Sequence, residues 1–136
     1  MPIRAPWEPD FTLGHGLIDQ QHQGLLTQCN LLADHCQDGD GEDADRRFDQ
    51  AFDRLKALAR EHFETELSQL AGCGYPALED HRIECEEFEY LADEIATTQN
   101  FDRLELQRFL TLWCIGHIRG SAQQQRDFLA GGNAAA

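Results

Sequence analysis

Two predicted helical segments meet across a short glycine-rich turn in residues 61–86, and this stretch constrains the fold more than any other. The first segment carries His62 and Glu66, the second carries His81 and Cys85, and the members of each pair are four positions apart. Residues four apart lie on the same face of an α-helix, about one turn from each other. The turn would fold the two faces together, so the sequence predicts that these four side chains, all of metal-ligand type, meet.

Apolar residues elsewhere in the chain recur at the three- and four-residue spacing that is typical of amphipathic helices. Short turns connect these apolar stripes, and nothing in the sequence indicates a strand. The pattern predicts an all-α fold, an antiparallel up-down-up-down four-helix bundle that forms a single domain. We expect helices over about residues 19–38, 42–70 and 76–97, and a fourth that ends near residue 129.

The helix boundaries and the two ends of the chain have signatures of their own. Pro76 suits the first position of the third helix, and Asn100 is a plausible cap for the fourth, with Asp102 in its first turn. Residues 1–14 contain three prolines and two aromatic residues, which predicts an extended arm whose rings pack on the bundle. Residues 131–136 are all small or polar and are expected to form a frayed tail.

Composition excludes several classes of partner. Acidic residues number 25 and basic residues 11, for a net charge of −14, which argues against a nucleic-acid partner. No apolar run approaches the roughly 20 residues that a membrane span needs, and the first residues lack the apolar core of a signal peptide. We therefore expect a cytoplasmic protein. Its five cysteines form no CxxC pair and are interpreted as thiols.

Side chains of metal-ligand type interrupt the apolar stripes, with at least one on every predicted helix. A single histidine on a core face is usually a hydrogen-bonded core residue, but a buried carboxylate needs a partner or a metal. Six such groups would each need a separate partner, so we predict a metal site in the bundle core. His15 and His35 fall off the stripes and are expected at the surface. The candidate ligands are His22, His62, Glu66, His81, Cys85 and His117.

Other side chains near these candidates have simpler interpretations. Cys85 is either a ligand or an inert buried thiol. Cys114 and Ser121 each lie about one turn from a candidate ligand and are interpreted as packing residues.

Short motifs follow one another along nearly the whole chain. They are the N-terminal aromatic arm, Asp19-Gln20-Gln21-His22, His62-Phe63 followed by Glu66, Gly74-Tyr75-Pro76 before His81, and Trp113 before His117-Ile118. Each motif is loose by itself, but their order and spacing together are specific. Together they resemble the motifs of the bacterial hemerythrins, non-haem iron proteins that bind dioxygen reversibly. The resemblance implies two irons held by five histidines and two bridging carboxylates.

The chain departs from this family pattern at two positions. Cys85 stands where the pattern has a histidine, and Ala122 stands where it has a bridging aspartate. The resemblance then leaves Glu66 as the one bridging carboxylate and divides the ligands into two sets, one for each metal.

The first set, His22, His62 and Glu66, suits ferrous iron that meets dioxygen. In the second set, His81, Cys85 and His117, a thiolate favours zinc or copper, or an iron of lowered potential. If Cys85 is a thiolate, the protein ligands carry the same total charge as in the family pattern. One negative charge then lies at one end of the metal pair instead of between the two metals.

The leading functional hypothesis is a non-haem iron protein, not an enzyme, that binds dioxygen or a related ligand such as nitric oxide as a carrier, store or sensor. The main alternative is a redox or metal sensor with a cysteine-containing mononuclear or mixed-metal site. An oxidase or peroxidase with one iron, and a bundle that has lost its metal, are further alternatives. The candidate residues for an apolar wall around the site are Leu25, Leu26, Phe63, Phe109 and Trp113.

Overall fold

Four helices account for most of the chain in the computed structural model, which describes residues 1–14, 16–37, 39, 41–98 and 102–135, with side-chain detail to residue 127. The first helix packs on the second and fourth, and the third packs on the same two, so the four form a closed bundle. The described residues contain no strand. The predicted all-α four-helix bundle is confirmed. Its helices are α1 (Gly16–Cys36), α2 (Glu42–Gly72), α3 (Leu78–Ala96) and α4 (Arg103–Ala135).

The connection between α2 and α3 extends further toward α3 than the sequence predicted. Helix α3 begins at Leu78, so Pro76 lies in the preceding turn and not at the first helical position. Gly74 has a φ of 70°, a left-handed conformation that a residue with a side chain rarely adopts. The chain reverses at this glycine and needs the next three residues to reach the axis of α3.

Helix α4 begins and ends at residues other than those predicted. Asp102 is its cap, because its Oδ1 accepts a 2.9 Å hydrogen bond from the backbone N–H of Leu104. The predicted cap, Asn100, lies outside the described residues. The helix continues to Ala135, beyond the end near residue 129 that the sequence predicted.

The apolar stripes of the helices form one core. Phe48 and Leu55 from α2, Phe88 from α3, and Leu106 and Leu110 from α4 are all completely buried. Each such side chain contributes about 1.5–3 kcal/mol through removal from water. None of the helices in the described residues combines the length and apolar character that a membrane crossing requires.

The N-terminal arm lies across α1 and α4, as the sequence predicts. Phe11 is 1% exposed and meets the Trp7 ring edge to face, with 5.4 Å between centroids. The Gln107 side chain accepts a hydrogen bond from the Ile3 N–H at 2.9 Å and donates one to the Ile3 carbonyl at 2.7 Å. Because residues 9–11 form a single 3-10 turn, the arm is extended only on either side of it.

Candidate metal centre

Each helix contributes at least one histidine to a buried cluster in the bundle core. His22 comes from α1, His81 from α3 and His117 from α4, while α2 contributes both His62 and Glu66. Four of the five are at most 3% exposed, and His81 is 5% exposed. The i, i+4 spacing on α2 and the antiparallel packing of the helices account for this convergence.

The Nε2 atoms of three histidines lie close together. Those of His22 and His62 are 3.0 Å apart, and those of His62 and His117 are 3.4 Å apart. One donor atom from each of these three histidines and one from Glu66 all lie within 4.8 Å of one another. The structure thus brings His117 into a compact four-donor set with three residues that the sequence assigned to the other half of the site.

The two carboxylate oxygens of Glu66 face different histidines. Oε2 is 3.4 Å from Nε2 of His22 and 3.1 Å from Nε2 of His62. Oε1 is 3.3 Å from Nε2 of His117 and also contacts Nε2 of His81. One carboxylate therefore lies between two pairs of imidazoles, one on each of its oxygens.

Two observations indicate that these donors suit a metal ion. Two donors that each lie about 2.1 Å from one ion are about 3.0 Å apart at a right angle and about 3.4 Å apart at the tetrahedral angle. The separations of 3.0 and 3.4 Å between imidazole nitrogens match these values. In addition, both oxygens of Glu66 and Nε2 of His81 are buried without a hydrogen bond of good geometry within the described residues. Such atoms are costly unless something else satisfies them.

The electrostatics of the cluster keep its donors in the forms that bind metal. Burial lowers the pKa of His22 and of His62, although Glu66 opposes the shift in both cases. Burial alone would raise the pKa of the Glu66 carboxyl, but the nearby histidines, above all His117, hold it well below its usual range. Two neutral imidazoles and a carboxylate are thus present at neutral pH.

Gln21 orients one of the histidines, a role that motif reading alone did not assign. Nδ1 of His62 donates a 2.9 Å hydrogen bond to Oε1 of Gln21, so in the neutral ring Nε2 carries the free lone pair. The Gln21 amide donates in turn to the Thr65 hydroxyl at 3.2 Å. The spacing of residues along α1 carried no signal for this role, because neighbouring positions on a helix point in different directions.

Aromatic rings enclose the His117 side of the cluster. The Trp113 ring stacks on His117 with centroids 4.9 Å apart and planes 10° apart. Phe63 meets the same imidazole edge to face at 5.5 Å. Phe63 and Trp113 were predicted as wall residues, and both contact a candidate ligand directly.

The structure places Cys85 apart from the compact four-donor set. It is 4% exposed, and it lines a groove of about 360 Å³ between α2 and α3, together with Phe63, Leu67 and the side chains of Arg60 and Arg82. Burial and nearby carboxylates raise the pKa of its thiol, so without a metal it is protonated. All five cysteines are free.

Five further residues that the sequence analysis singled out lie outside the cluster or outside the described residues. Cys114 is 1% exposed in the core, where the neighbouring Cys29 thiol and burial raise the pKa of its own thiol, which agrees with its interpretation as a packing residue. Ser121 and Ala122 are both buried on α4. His35 is half-buried in the last turn of α1 rather than fully exposed, and His15 lies outside the described residues.

A four-helix bundle whose core holds histidines and a shared carboxylate is typical of all-α proteins with a metal site between facing helices. The chain belongs to the hemerythrin family, because residues 13–123 match the family model described as the hemerythrin HHE cation binding domain. It is similar to the Bacteriohemerythrin of Stenotrophomonas maltophilia (strain R551-3), with 29% identity over 126 residues that cover 89% of this chain and 78% of that protein. The resemblance found from the motifs is thus confirmed, and the domain is a metal-binding one.

Proposed function

We propose that this chain is a non-haem iron protein that binds dioxygen or a related small ligand such as nitric oxide. It acts as a carrier, store or sensor and not as an enzyme. The observation that carries the proposal is the position of Glu66, whose two oxygens face separate pairs of histidines. A carboxylate in this position is suited to be a ligand shared between two halves of a metal centre.

The proposed ligands are His22, His62, Glu66, His81 and His117. When bound, iron supplies the centre at which a small ligand is held. The protein supplies neutral imidazoles, a fixed ring orientation through Gln21, and aromatic surroundings that keep water away from the His117 side. The cytoplasmic location expected from the sequence remains part of the proposal.

Cys85 is the proposed point of difference from other members of the family. As a protonated thiol it is a poor ligand, but a bound metal deprotonates a coordinating thiol. A pair of irons that uses Cys85 in place of a histidine is one form of the centre. A single ion on the compact set of three histidines and Glu66 is the other.

The second candidate function is a redox or metal sensor that uses Cys85. The groove between α2 and α3 favours it, because the groove gives solvent a path toward the buried thiol. Oxidation of a cysteine near a metal changes both charge and packing, which is a usual basis for redox sensing.

Elemental analysis of protein purified without added metal, read beside its absorption spectrum under argon and under air, tests the proposal. We expect iron in the purified protein and a spectral change that reverses when dioxygen is removed. Glu66→Ala should remove most of the metal, because it deletes the shared ligand. Wild-type protein without iron, or full metal content in the variant, would contradict the proposed centre.

Cys85→Ser separates the two candidate functions. If Cys85 is a ligand, the variant loses an absorption band that arises from the thiolate and the metal. If the protein is a sensor, mild oxidation changes the oligomeric state of the wild type but not that of the variant. A variant with an unchanged spectrum and unchanged oxidation response would mean that Cys85 is an inert core residue.

A further inference from the structure

A small cavity opens at the end of the bundle where α2 connects to α3. Its volume is about 150 Å³, and it is lined by residues of the α2–α3 connection, of α3 and of α4. His81 is the buried member of this lining, whereas Asp80 and Glu84 are exposed. The lining residues are Tyr75, Ala77, Asp80, His81, Glu84 and Gln124.

The cavity has the chemistry that a divalent cation requires. Asp80 and Glu84 lie one residue before and three residues after His81, so two carboxylates flank the imidazole on the first turns of α3. Carboxylate oxygens and an imidazole nitrogen are ordinary ligands of divalent cations. A cleft that carries charge of one sign also raises the local concentration of the opposite ion.

The cavity leads directly to the candidate metal centre. Nε2 of His81 contacts Oε1 of Glu66, whose other oxygen faces His22 and His62. His81 therefore touches the cavity on one side and the shared carboxylate on the other. The groove at Cys85 differs, because no imidazole lines it and its carboxylates, Glu64, Glu86 and Glu89, lie beside the guanidinium groups of two arginines.

Tyr75 lines the same cavity as Asp80 and Glu84. The pKa of its phenol is raised by burial and then by the charges of Glu66, Asp80 and Glu84. The Tyr75 hydroxyl donates a 3.3 Å hydrogen bond to Oε1 of Gln124, which joins the turn to α4 and closes one wall of the cavity.

We propose that this cavity is the route by which a divalent cation reaches the buried donors, with Asp80 and Glu84 as transient ligands and His81 as the residue that passes the ion to Glu66. The inference rests on the proposed metal centre but concerns how that centre is filled. It predicts an effect on the rate of metal uptake that is separate from the amount of metal finally bound.

The test uses metal-free full-length protein mixed with ferrous iron under anaerobic conditions. Excess chelator stops the reaction at intervals, and protein-bound iron is then measured. In Asp80→Asn/Glu84→Gln we expect uptake about tenfold slower at low salt, because the cleft no longer concentrates the cation. The difference should shrink as salt screens the charges, and the final iron content per chain should equal that of the wild type.

A control variant removes the same charge elsewhere. Glu94→Gln/Glu105→Gln loses two exposed carboxylates at the opposite end of the bundle, where α3 ends and α4 begins. It should take up iron at the wild-type rate. Circular dichroism checks that both double variants are folded, which the exposure of all four positions leads us to expect.

The outcomes separate this inference from the proposed function. Slow uptake with a normal endpoint, seen only in the cavity variant, supports the route. Wild-type rates in the cavity variant, or equal slowing in the control, would overturn the route and leave the centre intact. A wild type that binds no iron at equilibrium would overturn the proposed centre, and the route with it.

Discussion

Gln21 on α1 accepts a 2.9 Å hydrogen bond from Nδ1 of His62 on α2. A metal-ligating histidine usually has its second ring nitrogen fixed in this way, which sets the tautomer and the direction of the lone pair. Within the described residues, Nδ1 of His22 and Nδ1 of His117 have no such hydrogen-bond acceptor. His62 is thus the most firmly oriented imidazole of the compact set.

Replacement of Gln21 should weaken metal binding without removal of any ligand. For Gln21→Leu we expect the affinity to fall by about 10–100-fold, because the His62 ring loses the partner that orients it. Competition with a chelator of known affinity measures the change. Gln21→Glu keeps an acceptor and should bind nearly as well as the wild type, and Gln20→Leu, at an exposed position, is the matched control. Wild-type affinity in Gln21→Leu would exclude the orienting role.

Trp113 should stabilise the metal-free protein through ring packing. It stacks on His117, and its ring centroid is also 4.3 Å from that of Phe88. Trp113→Leu should lower the free energy of unfolding by about 2–3 kcal/mol. This loss is smaller than the largest losses measured for truncated core aromatic residues, because the Trp113 side chain is only half-buried. Urea denaturation with chelator present measures this. Leu112→Ala, at the exposed neighbouring position, should change stability by less than about 0.5 kcal/mol.

Two substitutions should bring the centre closer to the family pattern. Cys85→His should raise the metal content per chain, and Cys85→His/Ala122→Asp should raise it further, because each adds a ligand at a position where the pattern has one. Ala92→Asp places a carboxylate at an equally buried alanine of α3 and serves as control. It should only destabilise the fold, since a buried charge without a partner is costly. No gain in metal from the double variant would argue against these assignments.

The hydrogen bond between Tyr75 and Gln124 should slow the release of metal. Tyr75→Phe keeps the ring but removes the hydroxyl that joins the α2–α3 turn to α4. We expect bound iron to pass to a chelator several-fold faster than in the wild type, with little change in fold. Tyr90→Phe removes the hydroxyl of an exposed tyrosine on α3 and should release iron at the wild-type rate. Equal rates for all three proteins would mean that the bond does not restrict release.

The stability of the metal-free protein should fall as the pH falls from about 7 to 5. Because burial lowers the pKa of His22 and of His62, the unfolded chain binds more protons than the folded one below about pH 6.5. The loss is at most about 1.4 kcal/mol per pH unit for each histidine. Glu66 adds nothing in this window, since both its lowered and its ordinary pKa lie below it.

Urea denaturation of chelator-treated protein at several pH values measures this dependence. His62→Gln removes one of the two groups, so its stability should fall less steeply with pH than that of the wild type. His35→Gln, in the last turn of α1 and outside the cluster, is the control and should keep the wild-type slope. A wild-type slope in His62→Gln would mean that this imidazole is not held neutral in the folded state.

Periodicity predicted the bundle because apolar spacing reflects burial directly. It also placed His22, His62, Glu66, His81 and His117 in one interior, since each falls on an apolar stripe. Spacing along separate helices carries no information on the rotation and depth of one helix against another. The grouping of His117 with His81 therefore came from the family resemblance, and the structure shows that Nε2 of His117 also approaches that of His62.

The turn before α3 and the hydrogen-bond partner of the second ring nitrogen of His62 were harder to predict than the buried positions of the candidate ligands. The first position of α3 depends on the left-handed conformation at Gly74, which moves Pro76 into the turn. The partner of His62 is an ordinary glutamine, one of many in this chain, and only the packing of α1 on α2 distinguishes Gln21 from its neighbours.

The N-terminal arm makes the contacts that are most distant along the chain. Ile3 pairs with Gln107 across 104 positions, and the Asp10 carbonyl accepts from Arg126 across 116. The exposed ion pairs of Arg119 with Glu8 and Asp10 add little to hold the arm in place. The arm adjoins α1 at one end only, so we expect it to detach while the helices stay paired, with amide hydrogens that exchange with solvent before those of the bundle core.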